Sequence, residues 1–264
     1  FRGFHKFKTI SSVPDELILK KIPFKLGKTF ISLRNKKLLP FQNVNLDRLS
    51  RKVGNMQMKK SSTMWVDYHG QFIDENGVLK PSPRFERILE VFNELNIKSV
   101  FELAGNQGVF SELLLDKTQT ENIICTDYDA QAIDSLYNRI KDTSLNITPV
   151  VLDLKNPVSS TWLPPLSDRV TTPECVVGLA LLHHLILTQG MSLQTIFDVY
   201  KSYTSKYIIV EFMPLGLWTP KGGNRPMPEW YNLDWFKSAF AKNFDLILEE
   251  QLEENRILFV GSVK

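Results

Sequence analysis

The chain is poor in cysteine and has no long apolar run. Only two of its 264 residues are cysteines, Cys125 and Cys175, and each lies within an apolar stretch. This number excludes a disulfide framework and a cysteine-based metal cluster, and we predict no metal site. Every uncharged apolar run is shorter than the ~18 residues that a membrane span needs, and no signal peptide opens the chain. We therefore expect a cytoplasmic protein with two buried thiols and no membrane span.

Acidic residues are scarce near the start of the chain. Residues 1–60 contain 15 Lys and Arg but 3 Asp and Glu, so this segment carries about +12 although the whole chain carries +3. Such a segment can hold nucleic acid or pack against an acidic body, and the lack of interleaved aromatic rings favours packing. We divide the chain into a basic N-terminal extension, 1–60, and a second domain, 61–264. A chain that begins with Phe1 is also compatible with a longer polypeptide.

The second domain alternates short apolar runs with helical patterns, which predicts a mostly parallel sheet covered by helices on both faces. The last two runs have no helix between them and predict an antiparallel hairpin. The fold class is therefore α/β, with a Rossmann-like sheet of seven strands and one reversed strand. The predicted strands are Ser99–Leu103, Asn122–Thr126, Ile147–Leu152, Cys175–Leu182, Tyr207–Phe212, Phe244–Glu249 and Arg256–Val263.

The first predicted strand is followed by residues suited to a sharp turn. Gly105, Asn106 and Gly108 reach a positive φ at low cost. The loop lacks the G-x-G-x-x-G pattern that places a pyrophosphate on a helix N-terminus, because Ala104 and Asn106 stand where glycines are required. S-adenosylmethionine carries no phosphate and needs only an acid, a permissive turn and a second acid for its ribose. Asp127 ends the next strand and can supply the second acid.

Five motifs in this order resemble the class I S-adenosylmethionine-dependent methyltransferases, and within them the bacterial nodulation-type and putative carbohydrate-biosynthesis methyltransferases. The resemblance covers residues 65–264, and it implies an S-adenosyl-L-methionine-dependent transferase with a Rossmann-like fold. The motifs begin at Glu102 (ELAGNQGVFS), Asp127 (DYDAQAIDSLY), Leu152 (LDLKNP), Leu179 (LALLHHL) and Tyr207 (YIIVEFMP).

The same resemblance implies a role for each residue of the cofactor site. Asp127 accepts hydrogen bonds from the ribose hydroxyls, and Tyr128 covers the adenine. Asp153 and the Leu154 backbone bind the adenine amino edge. The alternative is that Asp127 and Asp153 only cap the helices that follow them. The methionine end is lined by Glu102 and by the backbone of Ala104, Gly105, Asn106 and Gly108.

The candidate catalytic residues are His183, His184 and Glu211, at the carboxyl ends of the fourth and fifth strands. A neutral imidazole suits the removal of a hydroxyl proton, and we expect at most one of the two histidines to act. Glu211 can orient a histidine or be the base itself. An Asn-Pro-Pro-Tyr motif, typical of enzymes that methylate base or amide nitrogens, is absent, which favours oxygen or carbon as the acceptor atom.

Aromatic residues with nearby basic residues suggest where an acceptor binds. The loop 217–231 can form a lid that stacks on a sugar or another ring, or it can be an ordinary surface loop with buried tryptophans. The candidate acceptor residues are Trp65, Tyr68, His69, Trp218, Arg225, Trp230 and Tyr231.

The sequence therefore predicts an enzyme that methylates a hydroxyl of a carbohydrate or another small metabolite. Two alternatives stay open. One is a nucleic-acid methyltransferase that uses the basic extension, and the other is a non-catalytic methyltransferase-like module of a larger protein.

Overall fold

The computed structural model describes residues 81–155, 165–217 and 226–264, and before residue 81 only Ser32. The chain divides into two units, Phe1–Lys59 and Lys60–Lys264, and every element below belongs to the second. The predictions for the basic extension, for Trp65, Tyr68 and His69, and for Trp218 and Arg225 lie outside the described residues.

The sheet has seven strands in the order β3-β2-β1-β4-β5-β7-β6. The strands β1 to β5 pair in parallel, whereas β7 is antiparallel to both β5 and β6. The predicted mostly parallel sheet with one reversed strand is confirmed. The strands are β1 (Ser99–Leu103), β2 (Asn122–Asp127), β3 (Ile147–Val151), β4 (Cys175–Gly178), β5 (Tyr207–Phe212), β6 (Phe244–Glu253) and β7 (Arg256–Val263).

Six α-helices and one 3-10 turn lie before or between these strands within the described ranges. Side chains accept backbone N–H bonds at several helix starts, as Ser82 does from Phe85 and Asp129 from Gln131, which satisfies donors that a helix leaves open. None of these helices is long and apolar enough to cross a membrane. The helices are α1 (Pro83–Glu94), α2 (Val109–Lys117), α3 (Ala130–Ile140), α4 (Leu182–Leu187), α5 (Leu193–Lys201) and α6 (Leu233–Asn243), with the 3-10 turn at Leu166–Asp168.

The fourth strand is shorter than predicted. It ends at Gly178 rather than at Leu182, and the apolar residues that follow form the short helix α4. The break falls at Ala180, whose φ is 50° and whose backbone N–H donates to Glu211 over 2.8 Å. His183 and His184 therefore lie on a helix and not on a loop beyond a strand.

A hydrophobic core lies on each face of the sheet, because neighbouring residues of a strand point to opposite faces. Val100 belongs to the core under α1, α2 and α3, and its neighbour Phe101 belongs to the core under α4, α5 and α6. Both cysteines are free and buried. The two-sided burial explains why the central strands read as continuous apolar runs.

Candidate functional site

The order of the strands reverses between β1 and β4, which both lie in the middle of the sheet. In open α/β sheets, ligands bind outside the carboxyl ends of the strands at this reversal. The loop after β1 crosses this place with Ala104 at φ 54°, Asn106 at φ 51° and Gly108 at φ 74°. The sharp turn predicted from the sequence is thus present.

Gly105 has a different role from the one predicted. It is Ala104, and not Gly105, that takes the left-handed conformation. A Cβ on Gly105 would lie 2.6 Å from Cys125 Sγ and 2.7 Å from Glu102 Cδ, so this position needs a glycine for space. The backbone of Ala104 therefore makes the turn, together with Asn106 and Gly108.

Asp127 ends β2 and is fixed by the backbone on two sides. Its Oδ2 accepts the N–H of Asn106 over 2.8 Å, and its Oδ1 accepts the N–H of Asp129 over 2.8 Å. Burial raises the pKa of this carboxyl, although these backbone donors act in the opposite direction. The residue that caps α3 is Asp129. The position of Asp127 is therefore not explained by helix capping.

A cleft of about 550 Å³ opens beside Asp127; we call it the edge cleft. Five of the predicted cofactor residues line it: Ala104, Asp127, Tyr128, Asp153 and Leu154. The Tyr128 side chain is 74% exposed, so its ring is available to a ligand. Sequence reasoning missed the wall opposite these residues, which comes from α4 and its end: Leu181, Leu185, Thr188 and Gln189.

Glu102, the acid at the end of β1, lies beneath the loop. Its side chain is buried, and it accepts the hydroxyl hydrogen bond of Ser111. Burial is the largest cause that raises its pKa to about 7. Four predicted cofactor residues do not line the edge cleft but lie in the loop after β1 or beneath it: Glu102, Gly105, Asn106 and Gly108. Their contact with the methionine end stays a prediction.

Glu211, the acid on β5, is fully buried between two guanidinium groups. Arg84 Nη1 lies 3.2 Å from both of its carboxylate oxygens, and Arg256 Nη1 lies 3.0 Å from Oε2. The Ala180 N–H is a further donor. Among the described residues, the hydrogen bonds of Glu211 are with Arg84, Ala180 and Arg256 and not with a histidine, so the geometry favours a structural role for it over the predicted orientation of a histidine.

The two histidines of α4 differ in their surroundings. His183 is 5% exposed, and its Nδ1 has no hydrogen-bond partner among the described residues. Burial, helped by His184 and Arg256, lowers the pKa of His183 to about 3. His184 is half-buried, and burial lowers its pKa as well. Because residues three and four apart share a helix face, His184 lies on the face of Leu181 and Thr188, which line the edge cleft.

The two acceptor candidates within the described ranges, Tyr231 and Trp230, differ in their exposure to solvent. Tyr231 is 3% exposed, and its hydroxyl donates to the Met213 carbonyl, so the structure places it in the core rather than in a lid. Trp230 is 50% exposed. Within the described ranges, no group of three His, Cys, Asp or Glu side chains could hold a metal ion.

Comparisons with known proteins identify the class of fold. A methyltransferase dependent on S-adenosylmethionine from Aquifex aeolicus is 13% identical, with a TM-score of 0.50 over 68% of this chain and 89% of that chain. The methyltransferase domain of bacterial CtHen1 is 15% identical, with a TM-score of 0.51 over 69% of this chain and 98% of that chain. The fold is thus that of the S-adenosylmethionine-dependent methyltransferases.

One curated relative is similar in sequence as well. Nodulation protein NoeA of Rhizobium meliloti (strain 1021) is 28% identical over 169 residues, which are 61% of this chain and 35% of NoeA. The match therefore spans about a third of the length of that relative. No family model matches the chain.

Proposed function

We propose that this chain binds S-adenosylmethionine in the edge cleft and transfers its methyl group to a hydroxyl oxygen of a carbohydrate or another small metabolite. The observation that carries the proposal is the position of Asp127. A carboxylate held by two backbone N–H groups lies at the carboxyl edge of a methyltransferase-type sheet, in a cleft lined by an exposed tyrosine.

The donors and acceptors of the edge cleft fit a nucleoside. A carboxylate retains lone pairs beyond the two that the backbone uses, so Asp127 can accept the ribose hydroxyls. Tyr128 offers a ring face to the adenine, and Asp153 lies on the adjoining wall. Asp153 Oδ1 already accepts the N–H of Lys155 over 2.9 Å, which fixes the carboxylate as the backbone fixes Asp127. The bound cofactor supplies an electrophilic methyl group on a sulfonium.

For such a transfer the chain must hold both reactants in line and take up a proton. We assign the proton to His184 rather than to His183. A base works best when its pKa lies near the operating pH, and a pKa of about 3 makes His183 a weak base. His184 is more exposed and shares the cleft-lining face of α4. Glu211 then acts through position alone, because it holds the Ala180 turn from which α4 begins.

Calorimetric titration with S-adenosylhomocysteine tests the cofactor site. We expect Asp127→Asn to weaken binding by about 2 kcal/mol, the contribution of a charge-assisted hydrogen bond. Asp134→Asn is the matched control, since Asp134 is exposed on α3 and does not line the edge cleft. Because the carboxylate is the form that accepts the ribose hydroxyls and burial raises its pKa, wild-type affinity is also expected to fall on acidification.

That titration, together with one that uses nucleic acid, separates the alternatives. A non-catalytic module without a cofactor site would give no binding heat with S-adenosylhomocysteine or S-adenosylmethionine. A nucleic-acid methyltransferase would bind single-stranded or duplex nucleic acid with an affinity that falls steeply as salt is raised. We expect cofactor binding and no tight nucleic-acid binding at physiological salt.

A further inference from the structure

A second cavity, of about 600 Å³, lies between α5 and α6. Its walls include the indole rings of Trp230 and Trp235, which pack edge to face with centroids 5.1 Å apart. Its apolar floor includes Ile186 and Leu193. We call it the tryptophan cavity.

Hydrogen-bonding groups on α6 line the tryptophan cavity beside the rings. Trp235, Ser238, Ala239 and Lys242 all line it, and their spacing of three, four and seven residues places them on one helix face. The side chains of Ser238 and Lys242 have no hydrogen-bond or ion-pair partner among the described residues. Both side chains are exposed, so the cavity presents an exposed aromatic ring beside hydrated donors that can exchange water for a ligand.

The tryptophan cavity and the edge cleft share α4 and its end as a wall. Leu185, Thr188 and Gln189 line the edge cleft, whereas Ile186 and the segment after Gln189 line the tryptophan cavity. Successive residues of this one segment thus line one cavity or the other, so a long ligand that crosses the segment could occupy both cavities at once.

We infer that the tryptophan cavity is a remote subsite that binds a sugar ring of an extended oligosaccharide acceptor. This inference rests on the proposed function and names the acceptor class. A pyranose has an apolar C–H face that can lie on an indole and a rim of hydroxyls that can bond to Ser238 and Lys242. Binding of a non-reacting part of a substrate in one cavity can position the reacting hydroxyl at the other.

The charges favour a saccharide over a nucleic acid as the occupant. Nucleic-acid grooves follow a phosphate backbone with several Lys and Arg, whereas Lys242 is the one cation among the described residues that line the tryptophan cavity. Residues 61–264 as a whole contain 26 Asp and Glu against 17 Lys and Arg, which opposes a polyanion. No carboxylate is among the described lining residues. The hydroxyl groups of a saccharide can therefore accept hydrogen bonds from Ser238 and Lys242.

Titration of the full chain with neutral tetrasaccharides tests the inference: cellotetraose, maltotetraose and the β-1,4 tetramer of N-acetylglucosamine, followed by calorimetry and by protein-observed NMR. We expect at least one of them to bind. Trp230→Ala should weaken that binding about tenfold or more, through loss of the ring face, and Ser238→Ala should weaken it less. The matched control is Lys237→Ala, on α6 but outside the lining, where Lys237 pairs with Glu249 at the surface.

Three results would overturn the inference: no saccharide binding up to about 10 mM, saccharide affinity unchanged in Trp230→Ala while Lys237→Ala behaves identically, or a single-stranded oligonucleotide that displaces the sugar from this cavity. S-adenosylhomocysteine affinity is measured on the same samples. Saccharide binding without S-adenosylhomocysteine binding supports the tryptophan cavity and rejects the proposed function. The reverse pattern rejects the tryptophan cavity as a saccharide subsite and leaves the cofactor site standing.

Discussion

The two halves of the sheet's carboxyl edge hold their acids in different ways. On the side of β2, Asp127 is held by backbone N–H groups and lines an open cleft. On the side of β5, Glu211 is fully buried against Arg84 and Arg256. Both acids belong to apolar strands, so they look alike in the sequence. The partners of a strand-end acid, and not its position, therefore decide whether it can meet a ligand.

The largest effect is expected in the turnover of a His184 variant. It distinguishes the open cleft beside Asp127 from the buried surroundings of Glu211. If His184 takes the acceptor proton, His184→Ala should lower turnover by about 10²–10⁴ and leave S-adenosylhomocysteine affinity nearly unchanged. His183→Asn, at the buried neighbour, should change stability more than turnover. The measurement is S-adenosylhomocysteine release with an accepted saccharide or metabolite. Full turnover in His184→Ala would contradict this role: either another group takes the proton, or the chain acts by positioning the reactants alone.

The next effect concerns the stability of the buried ion pairs. Glu211→Gln leaves two guanidinium groups without their carboxylate, and removal of one partner from a buried pair costs about 3–5 kcal/mol. The control is Glu250→Gln on β6, which loses a partly exposed pair with Arg87 of α1 and should cost about 0–1 kcal/mol. Denaturant unfolding measures both. Equal losses in the two variants would contradict the distinction between the two sides.

A pH effect of similar size is expected from Glu102. Its folded-state pKa of about 7 lies above the ordinary value of 4.5, so the stabilisation present below pH 4.5 is lost as the pH rises through 7, by about 3 kcal/mol. His183 acts in the opposite direction, because its lowered pKa means that stability is lost as the pH falls below 6.5. Glu102→Gln should therefore remove a decline in unfolding free energy between pH 5 and 7, and His183→Asn should not.

The smallest effects are expected in the loop after β1, where one position is limited by the space for a side chain and another by its backbone conformation. Gly105→Ala places a methyl group against Cys125 and Glu102 and should cost about 1–3 kcal/mol. Ala104→Gly relieves a residue at φ 54° and should raise the unfolding free energy by about 0.5–1 kcal/mol. Thermal and denaturant unfolding report both changes. A stabilised Gly105→Ala variant would contradict the packing described for this loop.

The sheet could be predicted because its strands are buried on both faces and are separated by clear turn and helix patterns. The helix α4 could not, since Gly178 at the end of β4 is followed by Leu179–Leu187, which is apolar apart from its two histidines and so continues the apolar pattern of the strand. The turn at Ala180 depends on Glu211, which lies 31 residues further along the chain.

The candidate site divides in the same way. The loop after β1 and Asp127 lie close together in the sequence, so their spacing was enough to predict that both lie at the carboxyl edge of the sheet. The partners of Glu211 come from 127 residues before it and 45 residues after it, so no local pattern could reveal them. The wall of the edge cleft at Thr188 and Gln189 was missed for a related reason, because it depends on α4 and carries no motif of its own.

A crystal structure with S-adenosylhomocysteine tests the central claim most directly. The ribose hydroxyls should lie within hydrogen-bond distance of Asp127, the adenine against Tyr128, and the sulfur toward the α4 face that carries His184, with Glu211 still bound to Arg84 and Arg256. A ligand that leaves Asp127 with its backbone bonds alone, or that displaces an arginine to reach Glu211, would contradict the assignment of the two sides.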